Sequence, residues 1–401
     1  MPPYLFHELD RLKAQARGDV IDLGEGSPDL ATPGPVVRAF ERAVRNRRNH
    51  GYPTYAGKLS CRHALASWYR DRFGVRLDPE TEVSMLIGSK EGVGHLIWGT
   101  CGPGDTVACT DPAYPIYPNQ TRLAGARLLS LPLLERNRFL PDLDRIDNIG
   151  PRIKLLCLTY PNNPTAAVAD ADFYRRVVAL ARKHGFFVLS DCVYSELYFG
   201  RTRPGSILAV PGARDCCVEF HSLSKTFSMA GWRIGSAAGN AGLIHALLRI
   251  KQNTDSGPFG AIQDAAAYAL ARAGRLSRAA RDTYRGRRDA FCDELARSGW
   301  EVPIPEATFY VWARVPAEKG SRVQGSKGRL RPLGPSTPGT LGPSSPDYSF
   351  VLEMLRECRV VAAPGIGFGR YGRGYVRFAL VQPEDRLRTA ARRIGKWLRR
   401  R

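Results

Sequence analysis

Cys216-Cys217-Val218-Glu219-Phe220-His221-Ser222-Leu223-Ser224-Lys225 is a largely apolar run that leads into a lysine, and Arg233 follows eight residues later. The apolar run predicts a buried strand. A lysine amine can condense with an aldehyde, and an arginine guanidinium can hold a phosphate through parallel hydrogen bonds. The stretch therefore favours a site for pyridoxal phosphate, a cofactor with an aldehyde at one end and a phosphate at the other.

Similar apolar runs surround this one in the middle of the chain. They are Val83–Ile87, Asp105–Cys109, Ala126–Leu131, Ile153–Thr159, Phe186–Ser190 and Trp232–Ala237. Amphipathic segments such as Ala171–His184 lie between them and predict helices. Strands that alternate with helices predict an α/β fold with a mostly parallel central sheet flanked by helices, and catalytic residues at the carboxyl ends of the strands.

The pattern changes near residue 300 and predicts a second, smaller α+β domain. Its elements are a strand at Thr308–Val315, a helix at Ser349–Cys358 and a strand at Tyr375–Leu380. We predict that residues 1–47 belong to this small domain, that 48–295 form the large cofactor-binding domain, and that 296–401 complete the small one. Within it, sixteen of the 27 residues in 320–346 are Gly, Pro or Ser. Such a composition predicts a flexible surface insertion rather than a functional lid.

Composition excludes several classes of protein. The net charge is +21, but the basic residues are scattered and accompany no nucleic-acid-binding motif, so we expect no specific nucleic acid as partner. No apolar run reaches the roughly 18–20 residues that a membrane helix needs, and no signal pattern is visible, which predicts a cytoplasmic protein. The nine cysteines show no metal-ligand spacing, so we expect no metal.

Each chemical need of the cofactor has a candidate residue. Asp191 follows a predicted strand and can keep a ring nitrogen protonated. Asn163 and Tyr194 can donate to a ring oxygen, and Tyr114 can cover the ring face. Gly88–Gly92 opens a predicted helix, whose first N–H groups suit a phosphate. Taken singly, each also fits a structural role, such as a turn, a cap or a packed aromatic side chain.

Two further observations leave alternatives open. Arg377 lies within an apolar strand, so it requires either an internal salt bridge or a substrate carboxylate. Ser222-x-x-Lys225 also matches a signature of serine acyl-transfer enzymes, but the S-D-N and K-T-G tripeptides that accompany that signature are absent from the sequence.

In combination, these motifs resemble fold-type I pyridoxal phosphate-dependent aminotransferases of class I/II. The matching stretches are Gly24–Asp29, Tyr52–Gly57, Gly88–Gly92, Asp111–Tyr117, Tyr160–Thr165, Asp191–Glu196, Ser222–Gly235 and Tyr375–Ala379. Three more stretches are most similar to LL-diaminopimelate aminotransferases, namely Glu219–Thr226, Lys251–Gly257 and Pro364–Gly369.

The resemblance implies a role for each candidate residue. Lys225 would bond to the cofactor and move the substrate proton, Asp191 would pair with the ring nitrogen, and Tyr114 would stack on the ring. The 3-oxygen would be bound by Asn163 and Tyr194. The residues around the phosphate would be Ser89, Lys90, Ser222, Ser224 and Arg233. Those at the substrate carboxylate would be Gly26, Asn163 and Arg377.

The resemblance also implies a homodimer with shared active sites. Tyr52 would reach the phosphate bound by the neighbouring subunit, and Asn253 lies in a stretch that often faces the shared site. The implied reaction is transamination between a polar, diaminopimelate-like amino acid and a 2-oxo acid, with 2-oxoglutarate as the expected acceptor. A lyase, cyclase or oxidase that uses the same cofactor stays open as an alternative.

Three positions depart from the family pattern. Ala166 stands where the family usually has a glycine, so a bend with positive φ would be strained there. Ser27 stands where the diaminopimelate subgroup commonly has aspartate. The 320–346 segment is longer than the usual connection. These departures leave the cofactor chemistry intact and leave the substrate open.

Overall fold

The computed structural model describes residues 11, 13–15, 18–316 and 345–401. The predicted insertion at 320–346 lies outside the described residues except for Ser345 and Pro346. Among the helices in the described ranges, none has the length and apolar character needed to cross a membrane.

The described residues divide into two compact units. The small unit comprises residues up to Gly26, Arg285–Pro305 and Phe309–Arg401, and the large unit comprises Ser27–Tyr284 and Glu306–Thr308. The first boundary thus falls after Gly26 and not at residue 47, because the helix at Gly34–Val44 packs against the helix at Gly260–Leu270 and adds Val36 to the core of the large unit.

Strands and helices are numbered in chain order over the described residues. The strands are β1 (Ile21–Asp22), β2 (Val83–Leu86), β3 (Thr106–Asp111), β4 (Arg127–Pro132), β5 (Leu155–Thr159), β6 (Phe187–Asp191), β7 (Cys217–Ser222), β8 (Gly235–Gly239), β9 (Tyr310–Arg314), β10 (Val360–Val361), β11 (Ala363–Pro364) and β12 (Tyr375–Ala379). The helices are α1 (Gly34–Val44), α2 (Leu59–Phe73), α3 (Ser89–Thr100), α4 (Ile116–Leu123), α5 (Leu143–Ile149), α6 (Ala171–His184), α7 (Leu223–Thr226), α8 (Ala241–Thr254), α9 (Gly260–Leu270), α10 (Ala273–Leu276), α11 (Arg278–Arg297), α12 (Pro346–Cys358) and α13 (Glu384–Arg400).

The large unit contains a seven-stranded sheet in the order β2-β8-β7-β6-β5-β3-β4. Strands β3 to β7 run parallel, and β8 and β2 are antiparallel to their neighbours. Both faces are buried. Leu156 and Leu158 of β5 belong to one apolar cluster, whereas Leu155 and Cys157 belong to the other, as the alternation of a strand requires. The mostly parallel α/β sheet predicted from the sequence is confirmed.

Local signals fix several of these elements. Helix α6 has the predicted bounds because Asp170 accepts a hydrogen bond from Phe173 N at its start and Gly185 adopts φ 72° at its end. The prediction of a strand beginning at Trp232 is wrong. Strand β8 begins at Gly235, because Arg233 has φ 52° and a left-handed residue interrupts an extended strand.

The small unit has two short sheets. Strand β1 pairs with β10 in parallel, and β11, β12 and β9 form an antiparallel sheet. Within the latter, Arg377 lies opposite Trp312, so the two side chains share a face. This register determines the environment of Arg377.

Candidate active site

Lys225 lies just beyond the carboxyl end of β7, in the short helix α7. Ser222 begins this helix, and its hydroxyl accepts a hydrogen bond from Ser224 N at 3.2 Å. The half-buried Lys225 Nζ lies 6.0 Å from the centroid of the Tyr194 ring. The turn after β7 therefore brings the lysine to the loop that follows β6.

Asp191 ends β6 and is only 6% exposed. Its carboxylate accepts hydrogen bonds from the Tyr117 hydroxyl at 2.6 Å and from Val193 N at 3.3 Å. Burial raises the pKa of Asp191 to about 6, even though these hydrogen bonds and the charge of Lys225 act in the opposite direction. A cationic ring nitrogen beside this carboxylate would favour its ionised form.

Tyr117 is a residue of this site to which the sequence assigned no role. Its hydroxyl accepts a hydrogen bond from Thr159 Oγ1 at 2.8 Å and donates to Asp191. Its ring lies 6.4 Å from that of Tyr114, at 78°. The available signal in the sequence was its position three residues after Tyr114, in the same short segment at the start of α4.

The start of α3 forms a cradle with the turn before β8. Gly88 precedes α3 at φ 74° and provides no side-chain cap, so the first N–H groups of the helix are not satisfied by a cap at Gly88. A Cβ on Gly88 would lie 2.2 Å from Arg233 Nη2, and a Cβ on Gly235 would lie 2.6 Å from Ser89 N. Glycine at both positions allows the guanidinium and the helix start to approach one another, an arrangement that suits a phosphate.

The remaining predicted cofactor residues differ in exposure. Asn163, Tyr194, Ser222 and Ser224 are buried, whereas Ser89 and Tyr114 are partly buried and Lys90 is exposed. Tyr52 is 98% exposed. The structure brings Lys225 near Tyr194 and Asp191, and Tyr117 contacts both Asp191 and Tyr114. The individual roles of these residues stay predictions.

Buried contacts hold the loop that carries Asp191 and Tyr194. Ser195 Oγ lies 3.1 Å from His221 Nε2, and Arg72 Nε donates to Glu196 Oε1 at 2.8 Å. Burial lowers the pKa of His221 to about 3, with a further contribution from the charge of Arg72. The imidazole is therefore neutral and fixes the loop without adding charge to the site.

The turn that contains Asn163 carries the strain expected at Ala166. Asn162 Oδ1 accepts hydrogen bonds from the backbone N and the hydroxyl of Thr165, at 2.9 and 2.8 Å. The buried Ala166 then adopts φ 60° and donates its N–H to Asn162 O at 2.9 Å. The backbone thus takes the conformation for which the family uses glycine.

We expect Ala166→Gly to leave the free energy of unfolding unchanged or to raise it. Relief of left-handed strain, about 1–2 kcal/mol, offsets the greater flexibility of glycine and the lost methyl group. The matched control is Ala181→Gly, which removes an equally buried methyl from the right-handed helix α6 and is expected to cost about 1 kcal/mol or more. Equal losses in the two variants, measured by denaturant unfolding, would contradict strain at Ala166.

Arg377 lies in the small unit within an aromatic cage and is 1% exposed. Its guanidinium carbon is 4.3 Å from the centroid of Tyr310 and 4.7 Å from that of Phe368, and its Nη2 donates to Gly24 O at 2.7 Å. A Cβ on Gly26 would lie 2.1 Å from the Tyr310 hydroxyl, so this approach requires glycine. A rigid guanidinium between two rings is suited to a planar carboxylate.

Comparison with known proteins gives a consistent result. Residues 18–394 match the sequence profile described as "Aminotransferase class I and II". The LL-diaminopimelate aminotransferase of Aquifex aeolicus is 45% identical over 398 residues, which cover 98% of this chain and 96% of that protein. The protein of the same name from Nitratidesulfovibrio vulgaris (strain Hildenborough) is 45% identical over 401 residues, with 99% and 97% covered.

Solved structures show the same similarity. The apo structure of BacF from Bacillus subtilis superposes with a TM-score of 0.86 at 34% identity, covering 98% of this chain and 93% of that one. The N-succinyldiaminopimelate aminotransferase of Mycobacterium tuberculosis superposes with a TM-score of 0.85 at 28% identity, with 98% and 97% covered.

Proposed function

The chain belongs to the class I and II aminotransferase family, and from this membership we propose a pyridoxal phosphate enzyme that moves the amino group of a diaminopimelate-like donor to 2-oxoglutarate. The observation that carries the proposal is that Lys225, in the short helix after β7, lies close enough to the buried carboxylate of Asp191 for its charge to act on it. The glycine-lined cradle at Arg233 accounts for the phosphate. These residues fit the cofactor's aldehyde, ring nitrogen and phosphate in turn.

The chain's own residues account for the proton transfers. When bound, pyridoxal phosphate supplies a ring that draws electrons from the substrate α-carbon. Lys225 Nζ would take the proton from that carbon and would deliver it to the carbon of the cofactor's aldehyde. Asp191, oriented by Tyr117, would keep the ring nitrogen protonated, and Tyr114 would cover the ring face. Arg377, within its aromatic cage in the small unit, suits an α-carboxylate.

The choice of donor rests on the named relatives. Two proteins at 45% identity over nearly the whole chain are LL-diaminopimelate aminotransferases. A donor of this kind carries a polar amino acid group at each end, and its side chain requires polar recognition. Ser27, in place of the aspartate common in that subgroup, is the position at which a shifted donor preference would arise.

We expect ¹⁵N from LL-diaminopimelate to appear in glutamate when the purified protein is incubated with pyridoxal phosphate and 2-oxoglutarate. Only transamination moves the label to the acceptor, whereas an oxidase or lyase that removes the amino group releases labelled ammonia. Mass spectrometry of both products decides between them. Other polar amino acids, tested in parallel, define the preferred donor, and ammonia formation without labelled glutamate would contradict the proposal.

We also propose that the protein acts as a homodimer with shared active sites. Tyr52 is almost fully exposed, and Tyr55 and Phe259 are exposed aromatic side chains. A Cβ on Gly257 would lie 2.2 Å from Thr54 O, so the segment after Asn253 packs against the segment that carries Tyr52. Tyr52 is thus held on a supported surface and suits a phosphate in a neighbouring subunit. The cytoplasmic location stays a prediction.

A further inference from the structure

A buried lysine lies between two carboxylates behind the start of α3. Lys251, on α8, has a fully buried side chain. Its Nζ donates to Glu91 Oε1 at 2.8 Å and to Asp255 Oδ1 at 2.7 Å. Neither the sequence patterns nor the proposed function gives this lysine a role, and a buried ammonium requires such partners.

Glu91 connects the lysine to the phosphate cradle. Glu91 belongs to the first turn of α3, and its Oε1 also accepts a hydrogen bond from Ile87 N at 2.8 Å, one residue before Gly88. Burial raises the pKa of Glu91, but its contacts with His95 and Lys251 outweigh this effect, and the pKa lies below its usual value. An ionised carboxylate in this turn would repel a phosphate at the helix start unless a cation neutralised it.

The residues around Lys251 also have the spacing of a metal site, but the Lys251 ammonium already provides the positive charge there. Ligand atoms of Glu91, His95 and Asp255 lie within 4.8 Å of one another. His95 Nδ1 is 2.7 Å from Glu91 Oε2, and Thr254 Oγ1 is 3.0 Å from His95 Nε2. Because the Lys251 ammonium already contacts both carboxylates, a metal ion would have to displace it.

We propose that Lys251 is a positioning residue for the cofactor phosphate. Its ammonium neutralises Glu91, which is then free to fix the backbone before Gly88 without repelling the anion bound at the start of α3. This inference rests on the proposed function, because it requires that α3 bind a phosphate. Lys251 would act on the phosphate through Glu91.

The test is a double-mutant cycle of Lys251 and Glu91 in the apo protein. The dissociation constants of inorganic phosphate and of pyridoxal phosphate are measured by calorimetry for each variant. Lys251→Met is expected to weaken binding of both ligands about tenfold or more, because Glu91 and Asp255 both lose their cation and Glu91 lies in the turn that would bind the phosphate. Glu91→Gln retains an oxygen for Ile87 N and is expected to bind phosphate at least as tightly as the wild type. The double variant is expected to return to within about threefold of the wild type.

A purely structural lysine gives the opposite pattern, in which the double variant binds as weakly as Lys251→Met or more weakly. That result, or unchanged binding by Lys251→Met, would overturn the proposal. Lys183→Met removes an exposed lysine paired with Asp147 and serves as the control for a general loss of charge. If Lys251→Met does not fold, Glu91→Gln still tests the proposal. Weaker phosphate binding by Glu91→Gln than by the wild type would contradict it. A wild type that binds neither ligand contradicts the proposed function instead.

Discussion

Lys225→Ala lowers the rate of amino-group transfer by about a thousandfold or more at saturating donor and acceptor. In the proposed function the lysine both bonds to the cofactor and moves the α-proton, and a positioned acid–base group alone contributes about 10²–10⁴-fold. The wild-type protein reduced with borohydride should carry the cofactor on the peptide that contains residue 225, and the variant should carry none. Turnover within tenfold of the wild type would exclude Lys225 from the chemistry.

The control for this variant is phosphate binding. Gly88, Ser89 and Arg233 form the cradle without Lys225, so Lys225→Ala is expected to bind inorganic phosphate within about threefold of the wild type. Retained phosphate affinity with lost turnover assigns the defect to the reacting amine. Loss of both phosphate affinity and turnover would indicate a collapsed pocket. The assay would then use Lys225→Arg in place of Lys225→Ala, because arginine preserves the charge and bulk of the side chain but not its amine chemistry.

The sequence predicted those parts of the fold and site that depend on local pattern. Apolar runs and helical spacing located the central strands, and a catalytic residue at the end of a strand follows from parallel topology. The strain at Ala166 was also predictable, because a requirement for positive φ belongs to one residue of a recognisable turn. The structure then placed Ala166 at φ 60°.

The parts that the sequence did not reveal depend on partners distant in the chain. Tyr117 and Asp191 are 74 residues apart, and Lys251 and Glu91 are 160 apart. No periodicity relates such residues, because their contact arises only when the sheet order brings their elements together. The domain boundary after Gly26 also depends on a contact between distant residues, because helix α1 packs on helix α9 and therefore belongs to the large unit.

Asp191→Asn is expected to lower turnover by about 10²–10³-fold, because the amide cannot hold a proton on the ring nitrogen while accepting from Tyr117. Tyr117→Phe is the matched variant. It removes one donor and leaves the carboxylate, so its loss of activity should be smaller. Turnover of Asp191→Asn within threefold of the wild type would show that the carboxylate does not act on the cofactor.

Asp191→Asn, which lowers turnover, is expected to raise the stability of the apo protein relative to the wild type near neutral pH. With a pKa raised from 3.8 to about 6, Asp191 binds a proton more tightly in the folded state than in the unfolded one. This tighter binding stabilises the folded protein fully below pH 4, and the stabilisation is lost as the pH rises through about 6. The unfolding free energy lost in this way is about 3 kcal/mol. Asparagine does not titrate. The unfolding free energy of Asp191→Asn minus that of the wild type should therefore rise between pH 4 and pH 7 by up to this amount, as measured by urea unfolding without cofactor. If the difference does not change across this range, burial does not destabilise the ionised carboxylate of Asp191 in the apo protein. A cationic ring would then not be needed to stabilise that charge.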